Sequence, residues 1–491
     1  MLLNKKSIYI GNGFKSAQLQ YLIPIVISYA KSKKIKNILL DFKYKSFVSF
    51  YNKSNLVKFI FLKNNYTMYF FKGLYFIYNF LKFRKFYYIF ISPRKFLLQY
   101  DNWYNYQIKH SIWDTSVLYT KDNDLNPSFF QKVRAFKEII SALYKGKELI
   151  NNYYLDSAFM SHSVYNDRAL IALFRMYKVN IFTHSNYSLA KNKSSKDFSI
   201  NVIHNYLLKK FIKIINQYKC DRYWLYVQKG FSLNTDTKIA FNIKKKLRTV
   251  NDCKNIIFLH VFKDSPFNIL DKKRIFCDYV EWVEQTLKIL KFSKEKWILR
   301  IHPVAKYWGE DSYIKVNIIL KKVFGENIPK NIIVEVNSIN NLDQLKSLNR
   351  VVTYTGSSHL EAVCSGIKPI VISETTLSSY NKDFVLKPIN LNQYKKFLLI
   401  DSHSRIFKAT NEQVKIAKKI IYIKDNVISF KNIFDGAQYI YRNSSKKSLL
   451  RYSKAISKGI LYQQNYLQDL GKHMAKGLQQ SISKKFIKLL N

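Results

Sequence analysis

The sequence predicts an α/β protein of two doubly wound parallel-sheet domains facing a cleft, followed by a C-terminal helical extension. Three observations carry that expectation. Residues 350–372 (RVVTYTGSSHLEAVCSGIKPIVI) read as strand, small-residue loop, short helix, glycine stop and second buried strand, which is one βαβ unit. Residues 7–42 open the chain in the same way: a strand over 7–10, the loop Gly11-Asn12-Gly13, an apolar helical pattern over 16–33 and a strand over 37–42. The length, 491 residues, suits two cores of ordinary size.

Taken in order, the helix over 16–33 carries Leu19, Leu22, Ile23, Val26 and Ala30 on one face, with Pro24 predicted to kink it. Residues 55–62, 87–92 and 116–120 read as further strands, and 129–146 as a helix stopped by Gly146. The unit over 156–182 is clearer: an apolar strand, the loop Ser161-His162-Ser163-Val164-Tyr165-Asn166-Asp167-Arg168, a helix over 169–178 and a strand over 179–182. Residues 190–197 read as a polar loop, and 211–224 and 227–241 run toward a hinge. The charged segment 244–254 marks the boundary, giving a first domain over 1–248, a second over 249–440 and a basic tail over 441–491. In the second domain, 255–261, 297–301 and 351–355 are strands, and 390–400 should pack behind them.

The candidate site residues lie where strands end, because ligands of open α/β sheets bind outside the carboxyl ends of the strands. Gly356, Ser357 and Ser358 begin a helix, where N–H groups, hydroxyls and the positive helix end favour a phosphate. The plainer alternative makes Ser357 an N-cap with Glu361 near its capping-box position. His302, in the strand end WILRIHP, can donate to a phosphate oxygen, more strongly if protonated. His260 and Asp264 follow the strand over 255–261, Glu310 follows the His-Pro loop as a brace, and Glu361 could take ribose hydroxyls. In the first domain His162 or Asp167 would serve as the base, imidazole being suited to proton transfer near neutrality, with His184 a weaker rival. A satisfied polar turn is the alternative for that loop. Asp122-Asn123-Asp124, the only D-x-D, reads as a polar loop, and no metal is expected.

Composition bounds the classes. Lys and Arg number 82 against 32 Asp and Glu, a formal charge of +50, which points to an anionic partner: nucleic acid, an acidic lipid surface, or acidic glycans and nucleotides. The four cysteines lack C-x-x-C spacing, which argues against zinc and a disulfide framework and fits a reducing cytoplasm. Cys364 is expected in the core. Residues 1–10 are too short and polar for a cleavable signal, and the aromatic stretch 70–91 is broken by charges and falls short of a membrane span. In the tail, Leu449, Leu450, Ile456, Ile460, Leu467 and Leu470 fall near helical spacing among many lysines. That pattern suits a basic amphipathic helix on an acidic membrane, the preferred reading, or a helix packed across the first domain.

Across about 255–390, HVFKDSP, DYVEWVEQTLKIL, WILRIHP and TYTGSSHLEAVCSGIKPIVI resemble, in order and spacing, the C-terminal half of capsule polysaccharide biosynthesis proteins. These are GT-B glycosyltransferases related to the capsular Kdo transferases. The His-Pro and Ser-Ser pair is also similar to that of bacterial sialyl- and polysialyltransferases, where it holds the phosphate of a CMP-activated sugar. The loop at His162 and Tyr165 matches a His-x-x-Tyr loop of the capsule proteins. Two departures stand out: the first half has no acidic-acidic-glycine triplet, and Gly-Ser-Ser replaces the frequent Gly-Thr. The resemblance implies a metal-independent, inverting transferase at the inner face of the cell membrane, moving a sialic acid or Kdo type of sugar from a nucleotide donor, CMP-linked by preference, to a glycan or lipid-linked glycan of a bacterial surface polysaccharide. A looser likeness to glycerophosphotransferases of teichoic acid synthesis implies instead a CDP-linked polyol donor. A third course, nucleic-acid binding by the basic, Tyr-rich surface, is disfavoured because the aromatics fall in apolar runs and no RNA-binding signature is present.

Overall fold

The computed structural model of the chain describes residues 5–14, 16–41, 57–62, 90, 102–162, 164–185, 188–192, 205–229, 253–264, 275–303, 305–306, 309–335, 345–428, 468–477 and 482. The first sheet contains β1 (Lys6–Ile10), β2 (Asn37–Asp41), β3 (Lys58–Leu62), β4 (Tyr154–Met160), β5 (Asn180–Ser185) and β6 (Ser188–Asn192), in the order β3-β2-β1-β4-β5-β6. Its pairs are parallel except the β5–β6 hairpin at the edge. The second contains β7 (Asn255–Phe258), β8 (Trp297–Arg300), β9 (Ile332–Glu335), β10 (Arg350–Thr353) and β11 (Ile370–Val371), in the order β11-β10-β7-β8-β9, all parallel. Both sheets therefore share one winding. The chain steps outward from a central strand, then crosses back and continues on the other side. The order reverses between β1 and β4 and between β7 and β10, which is where such sheets open a crevice. The expected class, two Rossmann-type domains facing a cleft as in the GT-B arrangement, is the observed one.

Helix α1 (Ser16–Ser32) carries Pro24 inside it and buries Leu19, Leu22, Ile23 and Val26 in the first core. Three helices, α2 (Trp103–Leu118), α3 (Phe129–Asn152) and α4 (Tyr165–Met176), pack on one another through Ile108, Ile112, Phe136, Ile139 and Ala169. The strand expected over 116–120 is thus the end of α2. That helix is buried on all sides and carries Gln107, Lys109, His110 and Asp114 inside, so its sequence shows no apolar period. Arg168 is fully buried against it, donating to Gln107 Oε1 at 2.8 Å and to Asp114 Oδ2 at 3.1 Å. The helix expected to stop at Gly146 continues to Asn152. A Cβ at Gly146 would lie 2.8 Å from side-chain carbons of Leu170 and Leu173, so this glycine serves helix packing rather than termination. The polar loop expected from 190 begins as strand β6. Of the strand expected over 87–92, only Phe90 is among the described residues, and it is helical.

Beyond the first sheet, α5 (Asn205–Ile214) and α6 (Gln217–Gln228), which the boundary expected at 248 leaves with the first domain, bury Phe211, Trp224 and Val227 in the core of the second sheet, together with Ile215 between them and beside α9 (Ser358–Cys364) and α12 (Asn411–Tyr422). The other face of that sheet carries α7 (Tyr279–Leu290), α8 (Ser312–Phe324) and α11 (Leu391–Leu399). As expected, the segment over 390–400 packs behind the strands: Tyr394 is buried and its hydroxyl accepts from Trp282 Nε1 at 2.9 Å. A short helix, α10 (Thr376–Tyr380), follows β11. Cys364 lies in the core, as do the other three cysteines.

Most of the tail lies outside the described residues, but 468–477 pack across the first domain. Leu470 and Met474 enter its core, Ser28 Oγ donates to Gln468 O at 2.6 Å, and a Cβ on Gly471 would stand 2.3 Å from Ile25 O. Ile482 is buried in the second domain's core. This stretch follows the packing alternative rather than the lipid-facing one. No helix among the described residues is long and apolar enough to cross a membrane.

Candidate active site

The first half of the site is built at the reversal between β1 and β4. Gly11 N donates to Phe159 O at 2.8 Å, tying the loop after β1 to β4. A Cβ on Gly13 would fall 2.2 Å from Ser161 Oγ and 2.8 Å from Asp167 Oδ2, so only glycine admits this approach. Asp167, buried in the first turn of α4, accepts from Ser161 N at 3.2 Å and Ser161 Oγ at 2.6 Å. With its proton given to Asp167, Ser161 Oγ is left to accept from His162 Nδ1, 2.9 Å away. This assigns the proton to Nδ1 and leaves Nε2 as the basic nitrogen. His162 Nδ1 also stands 3.5 Å from Asp167 Oδ2. The rival base His184 is buried; burial, and next the neighbouring His162, push its pKa down to about 3. A cavity of about 640 Å³ opens here, lined among others by Asn12, Arg134, Lys137, Lys145, His162 and Asp167.

The second half lies at the ends of β7, β8 and β10. The two strand ends that sequence reading pairs, after β8 and after β10, are not neighbours: β7 runs between them. Two strand spacings put them about 10 Å apart. His260, following β7, fills the middle, with its ring 5.6 Å from that of His302. Burial, and then His260, push the His302 pKa down to about 3, so near neutral pH it stands as a neutral donor. The Tyr279 hydroxyl accepts from His260 N, fixing the turn from the core side. Glu310 is buried and accepts from Phe262 N at 2.9 Å and Lys263 N at 2.6 Å, and from Ser312 Oγ.

At the third edge, Gly356 has φ +103° and open space where a Cβ would stand. Ser357 stands at the N-cap position of α9 but makes no side-chain cap bond to the backbone, and its hydroxyl is bonded to the Glu361 carboxyl instead. Ser358 Oγ donates to Thr353 Oγ1 at 3.2 Å, so its proton is turned toward β10 and its lone pairs remain. Burial raises the Glu361 pKa, with Lys424 and the Ser357 hydroxyl acting against it. His359, buried one residue on, bonds Gly356 O through Nδ1 and so holds the loop. Arg300 forms a buried pair with Glu335 on β9 (2.7 Å) and also lies within electrostatic reach of the Glu361 carboxylate.

The two halves meet. Tyr165 Oη donates to Asp264 Oδ1 at 3.2 Å across the cleft. The Tyr165 ring lies 5.9 Å from that of His162, and Asp264 Oδ2 lies 3.9 Å from His260 Nε2. The series His162, Tyr165, Asp264, His260, His302 is therefore continuous between domains. Tyr165 holds φ +51°, a left-handed backbone unusual for an aromatic residue and of the kind that clusters at functional sites. The domains are joined a second time beside it. Lys263 Nζ pairs with Asp122 Oδ1 at 2.8 Å, and the buried Lys315 Nζ donates to Lys121 O at 2.9 Å and to Asp124 O. The D-x-D loop is thus an interdomain contact. Among the described residues, no three His, Cys, Asp or Glu side chains converge as a metal set would require.

Sequence reasoning placed His162, Asp167, His260, Asp264 and His302 in one cleft, and the structure brings them together. It missed Ser161, the strain at Tyr165 and the bonding of Lys263 and Lys315. A small hydroxyl between two strand-end acids and bases was the available signal for Ser161.

No protein-family model matches the chain, and no curated protein matches it. Among solved structures, the chain is similar to the KpsC beta Kdo 2,4 transferase of Thermosulfurimonas dismutans (10% identity, TM-score 0.32, 58% of this chain and 87% of that one). It is also similar to the UDP-GlcNAc 2-epimerase of Methanocaldococcus jannaschii in complex with UDP-GlcNAc and UDP (14%, 0.28, 86% and 99%) and to a glycosyltransferase of Rickettsia africae (11%, 0.26, 94% and 99%). At scores this low, the fold assignment rests on the strand order and register given above.

Proposed function

We propose that the protein is a glycosyltransferase that binds a nucleotide-activated sugar on the second domain and an acceptor in the first-domain cavity. The observation that carries this reading is the continuous series of polar side chains from His162 to His302 across the cleft. His302, His260 and the Gly356–Ser358 turn would take the donor phosphate, Glu361 the ribose, and Asp264 and Glu310 would hold the loop between them. Groups that bind the leaving nucleotide more tightly as its charge grows lower the barrier without a metal. His162 Nε2 would take the acceptor hydroxyl's proton, while Ser161 and Asp167 orient the ring and stabilise the imidazolium. A CMP-linked sugar of the sialic acid or Kdo type and a bacterial surface polysaccharide acceptor complete the proposal.

The test is a thermal-shift and hydrolysis panel of CMP-, CDP-, UDP- and GDP-linked donors on the full chain. One donor class should protect and turn over. His302→Asn should lose the protection, whereas His162→Asn should keep it and lose turnover. Stabilisation by oligonucleotides alone, or equal donor protection in every variant, overturns the reading.

A further inference from the structure

Helices α5 and α6 turn one face into the second domain's core and present the other to solvent. The outward face carries Ile214, Tyr218, Leu225 and Tyr226, exposed at 51%, 71%, 58% and 46%. On α6, Tyr218, Arg222 and Leu225, with the C-cap residue Lys229, recur at steps of four, three and four, one helical stripe. Lys209, Lys213, Lys219, Arg222 and Lys229 are exposed around them. The single acid of residues 205–229, Asp221, is taken by Lys418 Nζ at 2.8 Å and Gln217 Nε2 at 3.2 Å. This face therefore combines aliphatic tips, tyrosines and unopposed cations.

We propose that α5 and α6 form a docking surface for an anionic lipid bilayer, with Ile214, Tyr218, Leu225 and Tyr226 entering the headgroup region and the surrounding cations meeting lipid phosphates. Tyrosines favour that interfacial zone, and lysines near it gain from the negative surface potential. A nucleic acid would use the cations and stack on the tyrosines, but it would gain nothing from water-exposed Ile214 and Leu225. A bilayer uses all three features. The surface lies on the described helices rather than in the C-terminal tail, whose residues 468–477 are committed to the first domain. It is independent of the donor site, so its failure would leave the transferase reading untouched.

The test is sedimentation of the full chain with phosphatidylcholine vesicles, with and without phosphatidylglycerol. Binding should require the anionic lipid. Ile214→Ser with Leu225→Ser should lower the bound fraction at equal lipid by about tenfold, and Lys213→Glu with Arg222→Glu should do the same, with thermal unfolding unchanged. Because the native cysteines are buried, Tyr218→Cys can be labelled with a polarity-sensitive dye. Its emission should shift blue on anionic vesicles. No sedimentation, or sedimentation without a dye shift, overturns the proposal. So does a dye response to single-stranded oligonucleotide and not to vesicles, which would make the face a nucleic-acid surface.

Discussion

Replacing Glu310 tests whether the turn carrying His260 and Asp264 is held from below. The carboxylate is buried and takes two backbone amides, Phe262 N and Lys263 N, besides the Ser312 hydroxyl. Glu310→Ala leaves both amides unsatisfied in a place water reaches poorly. At about 1–3 kcal/mol for each stranded donor, the cost centres on ~4 kcal/mol. For a domain of this size, that is a fall of ~8–16 °C in the unfolding midpoint. Glu310→Gln keeps one acceptor oxygen but sets an NH2 group against one of the amides, so roughly half the loss should remain. Ser312→Ala removes one hydroxyl and should cost only about 1 kcal/mol. Thermal unfolding, with and without CMP, measures all three. Glu310→Ala should also lose any nucleotide protection, because His260 and Asp264 depend on the turn. A midpoint for Glu310→Ala within a degree or so of the parent, or a Gln variant as damaged as the Ala one, would refute the reasoning.

Three further outcomes are expected. Gly13→Ala should displace Ser161 and Asp167, abolishing turnover while costing about 1–3 kcal/mol; unchanged turnover would mean that the His162 geometry is not required. Because Tyr165 holds a left-handed backbone, Tyr165→Gly should be more stable to denaturant than Tyr165→Ala by about 1 kcal/mol, and equal midpoints would remove the claim of strain. His184 and His359 have folded pKa values near 3, depressed by burial from an ordinary 6.5, so the unfolded chain takes up their protons first as pH falls. Stability should then be full above about pH 6.5 and decline toward pH 3, each imidazole costing about 2 kcal/mol by pH 5. His359→Gln should flatten that slope, and an unchanged slope would exclude His359 as a source.

The strand edges were legible because short apolar runs ending in small or polar residues have few other meanings. Lateral order is not legible, since nothing in 255–261, 297–301 or 351–355 says which strand lies in the middle, and so the sequence does not set His260 at the centre. Helix α2 escaped notice because polar side chains buried on every face erase the 3.6-residue period. Gly146 was read as a stop because packing against Leu170 and Leu173 leaves no local sign. Tyr165's backbone conformation is set by the tertiary contacts at the cleft.

The hydrogen bond from Ser28 to Gln468 joins residues 440 positions apart. During synthesis, helix α1 emerges early but receives its covering partner only when the segment beginning at Gln468 follows it out of the ribosome. At ordinary elongation rates that interval is roughly 20–90 s. The first core must therefore wait, with apolar surface uncovered, for a segment made some 440 residues later, and completion of its own sheet does not close it.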